Sequence, residues 1–85
     1  MDEKDIIEIL NHSPHRVSDF NIYSRNIDFS EPQFCFVNTT DTKMEISKVV
    51  RIFVRRNLVR FVQEGHSMVQ MNRVAIKEIT LSRIP

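Results

Sequence analysis

The residues best suited to chemistry in this 85-residue chain are arginines. Arg51, Arg55, Arg56 and Arg60 fall close together, with Lys48 before them and Arg73 after them. A guanidinium grips phosphate oxygens through a planar two-donor fork and stacks on flat rings, which a lysine ammonium does less well. Contacts of this kind supply most sequence-independent affinity for nucleic acid. The competing reading is a solvated basic face, or one neutralised by acidic residues of the same chain.

Other reactive side chains form no comparable set. Cys35, the only cysteine, sits between Phe34 and Phe36 and has no cationic neighbour to activate it, so it reads as a buried apolar residue. His12 and His15 flank Pro14, and with His66 they lack the partner spacing of a metal site. Ser13, Ser67 and the carboxylates show no nucleophile–base arrangement. The expectation is a non-enzymatic chain with no catalytic residues, no metal and no cofactor.

Charge is unevenly divided. Residues 1–42 carry eight acidic and three basic groups, a balance of −5, whereas residues 43–85 carry nine basic and three acidic ones, a balance of +6. This asymmetry fits an acidic partner for the second half, head-to-tail contact between subunits, or neutralisation within one fold. With no signal-like apolar segment at the start and no long apolar run, the chain reads as cytoplasmic, with no membrane role. Its length implies a single domain, 1–85, and a core small enough that homo-oligomerisation would add useful burial.

The elements that must position these residues begin with a short helix capped by Asp2, with Ile6, Ile7, Ile9 and Leu10 on one stripe and Pro14 ending it. Asp2, Glu3, Asp5 and Glu8 would solvate that helix. Val17 to Phe29 is expected to be extended, with an interruption near Tyr23-Ser24-Arg25-Asn26. Phe34 to Val37 reads as a strand buried on both faces, and Asn38 to Asp41 as a turn.

Residues 43–64 admit two readings. Thr42 and Glu45 have capping-box spacing, Gly65 stands where a helix C-cap belongs, and Ile46, Val49, Val50, Phe53, Val54, Leu58, Phe61 and Val62 share a helical arc. Against a helix, seven of the seventeen residues from Ile46 to Val62 are β-branched, and Ile52 and Val59 fall outside the arc. The strand reading is preferred, with a break at Arg55-Arg56-Asn57 and a hairpin turn at Glu64-Gly65-His66-Ser67. A strand over Met68–Met71, a corner over Asn72–Ile76 and a last strand over Lys77–Leu81 complete it. The alternative is an α+β fold with residues 43–64 as a central helix.

The succession of strand, turn, long bent strand, strand, short strand, corner and final strand resembles the Sm-like family, and within it the Hfq-like proteins. The resemblance rests on Phe34-Cys35-Phe36-Val37-Asn38, on Ser67-Met68-Val69-Gln70-Met71-Asn72-Arg73-Val74-Ala75-Ile76 and on Thr80-Leu81-Ser82-Arg83-Ile84-Pro85. It implies a mainly β chain, with an N-terminal helix and extension over 1–32 and a strongly bent five-stranded barrel over 33–85. It also implies assembly into an RNA-binding oligomer in which Asn72 and Arg73 approach bases near a pore. The function expected is therefore a non-catalytic, oligomeric RNA-binding or regulatory module. Lys48, Arg51, Arg55, Arg56, Arg60, Asn72 and Arg73 would meet single-stranded RNA. The alternative is a small protein–protein adaptor or inhibitor that meets its partner through the acidic N-terminal half.

Overall fold

In a computed structural model, residues 4–5, 16–17, 20–25, 30–65 and 67–83 are described. They form β1 (Lys4–Asp5), β2 (Arg16–Val17), β3 (Phe20–Arg25), β4 (Gln33–Thr39), β5 (Lys43–Val54), β6 (Leu58–Gln63), β7 (Met68–Asn72), a 3₁₀ turn (Arg73–Ala75) and β8 (Ile76–Arg83). The protein is mainly β, and residues 43–64 are two strands joined by a turn, not a helix. The strands lie in the order β2-β3-β8-β4-β5-β6-β7, with β1 added alongside β5. All pairs are antiparallel except β3 with β8.

One face of this sheet is the core. Phe20 and Ile22, Cys35 and Val37, Ile46, Val49, Ile52 and Val54, Val59 and Phe61, and Ile76, Ile79 and Leu81 are all buried. Each side chain of this size stabilises the fold by roughly 1.5–3 kcal/mol when fully withdrawn from water. A buried Gln33 joins them, its Nε2 donating to the Glu31 carbonyl at 3.1 Å.

β5 is long and interrupted by bulges, which bend a strand and here explain its ambiguous sequence. It pairs with β4 through its first half and with β6 through its second, with register shifts beside Gln33 and between Val49 and Arg51. Lys48 lies at the bend with φ 52°, in the left-handed region. These irregularities set the inward side chains Ile46, Val49 and Ile52 three residues apart instead of two. Three-residue spacing is what a helix would also show.

Several expectations are corrected. The sheet is not closed into a five-stranded barrel: closure would require its end strands to pair, yet β8 gives its second edge to β3, and β7 lies at the far end of the order. The N-terminal helix is not supported, because Lys4 and Asp5 are extended and paired with Val54 and Phe53. There they satisfy a stretch of the β5 edge that β4 does not reach, and a two-turn helix carries a costly nucleus. Ile6–Leu10 lie outside the described residues, as do Ile27 and Phe29. The interruption expected over Tyr23–Arg25 is absent, since β3 runs through it along β8. In β4 only Gln33, Cys35 and Val37 are buried; Phe34 and Phe36 face outward, half-buried, with ring centroids 6.4 Å apart. Among the described residues, no helix is long and apolar enough to cross a membrane.

Candidate nucleic-acid interface

Period-two alternation in the second half of β5 and in β6 sends Ile52, Val54, Val59 and Phe61 inward, so Arg51, Phe53, Leu58, Arg60 and Val62 share the outward face. The register puts Arg51 opposite Val62 and Phe53 opposite Arg60, which makes Arg51 and Arg60 diagonal neighbours. Such neighbours have backbones roughly 7–8 Å apart, within reach of long side chains. β7 extends the face, with Met68 opposite Val62, Gln70 opposite Arg60 and Asn72 opposite Leu58.

The remaining arginines lie where this hairpin turns. Arg55 N–H donates to the Leu58 carbonyl at 2.9 Å, closing a tight turn whose central residues, Arg56 and Asn57, are exposed. Two bonds tie the 3₁₀ turn to this tip. Arg73 N–H donates to the Asn57 carbonyl at 3.0 Å, and Arg73 Nη1 donates to the Arg55 carbonyl at 2.8 Å. The Arg73 guanidinium also lies over the Phe20 ring, 5.9 Å from its centroid. Asn72 Oδ1 accepts from Val74 N–H at 3.2 Å and caps the 3₁₀ turn.

The structure therefore gathers Arg55, Arg56, Asn72 and Arg73 at one tip and sets Arg51 and Arg60 on the adjoining face. Lys48 is elsewhere. Its carbonyl accepts from Glu64 N–H at 2.8 Å, at the opposite end of β6, roughly 20 Å from the tip at 3.3 Å per residue. Arg73 is chiefly a structural tie, since its fork is engaged with the Arg55 carbonyl and the Phe20 ring.

Electrostatically the hairpin is one-sided. No carboxylate occurs in residues 46–63 or 66–77, so neither the β5–β6 turn nor β7 carries negative charge. The end of β5 is also paired by β1, with Asp5 opposite Phe53 in the backbone register. Elsewhere the half-exposed Arg83 and Glu31 form an ion pair at 3.1 Å, of a kind that contributes little to stability.

Three outward aromatic residues were missed in the sequence. Tyr23, half exposed, and Phe36 flank Thr80 in one cross-strand row, and Lys43 Nζ sits 5.5 Å from the Phe36 ring centroid. Phe34 lies beside them. Strict period-two reading of residues 33–37 would have found the two phenylalanines, because Gln33, Cys35 and Val37 alternate with them.

Cys35 is buried, and burial raises its thiol pKa from 9.0 to about 12, which keeps it protonated near neutrality. Among the described residues, no group of three or more His, Cys, Asp or Glu side chains is placed to hold a metal ion. His12, His15 and His66 lie outside them. No family model, curated protein or solved structure matches this chain.

Proposed function

We propose that this domain is a non-catalytic RNA-binding module of Sm-like character, whose basic hairpin attracts the phosphates of a single strand. The observation that carries the reading is the clustering of Arg51, Arg55, Arg56 and Arg60 on one hairpin without an intervening carboxylate. Arg55 and Arg56 lie at the tip and Arg51 and Arg60 on the face, along a path that a flexible phosphate backbone can follow. Gln70 and Asn72 add amide groups beside it, and the Sm-like part rests on the succession from β4 to β8 with a 3₁₀ corner before the last strand. Outward Tyr23, Phe34 and Phe36 are set apart from this path, toward the opposite end of β5, where Phe36 stands opposite Glu45.

The test is titration of a short single-stranded RNA against wild type and Arg55→Ala/Arg56→Ala at two salt concentrations. Wild-type affinity should fall steeply as salt rises. The double variant should bind about 1–3 kcal/mol more weakly across unrelated sequences. Each lost phosphate contact should reduce the slope of log K against log salt by about 0.7. An unchanged circular dichroism spectrum would show that the fold is kept. No wild-type binding at the lower salt would remove the nucleic-acid reading and favour the protein–protein adaptor that meets its partner through the acidic N-terminal half.

A further inference from the structure

We propose that two copies of this chain join through β7, antiparallel and centred on Gln70, into one continuous sheet. The direction of the backbone groups follows from the ladder to β6. Gln63 N–H donates to the Ser67 carbonyl at 2.8 Å, and Arg73 N–H to the Asn57 carbonyl at 3.0 Å. Hydrogen-bonded pairs alternate along an antiparallel ladder, so Val69 and Met71 also direct their backbone groups toward β6. Met68, Gln70 and Asn72 direct theirs away from it. Among the described residues no strand pairs with that outer edge.

The strand's own sequence carries none of the usual edge protection. Met68-Val69-Gln70-Met71-Asn72 contains no charge, proline or glycine, and its register to β6 runs without a bulge. Other edges are better covered: β3 occupies β8 from Glu78 to Ser82, β1 lies along the end of β5, and β2 covers the start of β3. A head-to-tail ring using the β8 edge is therefore obstructed, whereas an isologous pair needs only β7 from each copy.

The sequence of β7 is complementary to itself in that register. Gln70 faces Gln70 of the second copy across the two-fold axis, and Met68 faces Asn72 on either side, giving about six backbone hydrogen bonds. On the inner side, Val69 meets the second copy's Met71. Both residues already pack against the core of their own chain, so the apolar layer continues across the junction. No like charges stand opposite one another.

Light scattering or sedimentation of the purified chain without RNA tests the pairing. Wild type should show twice the 10.1 kDa chain mass at micromolar concentration. Gln70→Lys and Gln70→Glu each place like charges on the two-fold axis, and each should give the single-chain mass. Mixed in equal amounts, they should recover the doubled mass as a heterodimer, which loss of folding could not produce. Gln70→Thr, uncharged and favourable in a strand, should keep the doubled mass. A wild type at 10.1 kDa, charged single variants that stay dimeric, or a mixture that stays at the single-chain mass would each overturn the proposal. Because the mass is read without RNA, its outcome is separate from that of the nucleic-acid titration.

Discussion

Replacing Lys48 by glycine tests how the long strand bends. Lys48 has φ 52°, where a Cβ atom crowds the carbonyl and costs roughly 1–2 kcal/mol. Glycine removes that cost but loses more conformational freedom on folding, which offsets about 0.5–1 kcal/mol. The net expectation for Lys48→Gly is a gain of about 0.5–1 kcal/mol. For a domain of this size that corresponds to a Tm rise of about 2–8 °C. Lys48→Ala separates strain from charge, since it removes the ammonium and keeps the Cβ atom. Lys48→Val, β-branched, should be the least stable of the three. Urea unfolding followed by circular dichroism measures all of them, with a constant slope showing that the midpoint shift reflects stability. If Lys48→Gly is less stable than Lys48→Ala, the bend stores no strain at Lys48 and the reasoning fails. Lys48→Gly should leave RNA affinity nearly unchanged, since this position is remote from the hairpin tip.

Arg73→Ala should destabilise the fold by about 1–3 kcal/mol, through loss of the bond to the Arg55 carbonyl and the contact with the Phe20 ring. Arg73→Lys should recover only part of it; an Arg73→Ala variant as stable as wild type would show that the tie is dispensable. Burial raises the Cys35 pKa from 9.0 to about 12, so its contribution is fully present below pH 9. That contribution is lost as pH rises from about 9 to about 12, because the unfolded thiol ionises first. Comparing wild type with Cys35→Ala by urea unfolding across this window should show a steeper alkaline decline for wild type, and equal slopes would refute the assignment.

Much of this fold is dictated locally. The β-branched content of Ile46–Val62 disfavours a helix, Arg55-Arg56-Asn57 breaks the run, and the Glu64–Ser67 turn uses Gly65 at φ 85°. These preferences act over a few residues, so composition and spacing expose them. The arginine cluster was legible for the same reason: one hairpin carries Arg51, Arg55, Arg56 and Arg60. Its geometry was not, because alternation around a bulge cannot be counted before the bulge is known. The three-residue spacing of Ile46, Val49 and Ile52 mimicked a helix, although two register shifts and one left-handed residue produce it.

Long-range pairing decided the rest. Nothing near Lys4 and Asp5 indicates that their best partners are Val54 and Phe53, since the unmet backbone groups belong to a strand about fifty residues away. Nor could the sequence show that β3 would take the second edge of β8 and leave the sheet open. That Arg73 also ties the 3₁₀ turn to the hairpin tip, between the Arg55 carbonyl and the Phe20 ring, was not legible in the sequence. Residue type and local spacing thus determined β4 to β8, the main turns and the basic hairpin. Only the tertiary structure decided which edges pair and which arginine serves the fold, because both depend on contacts between segments far apart in the chain.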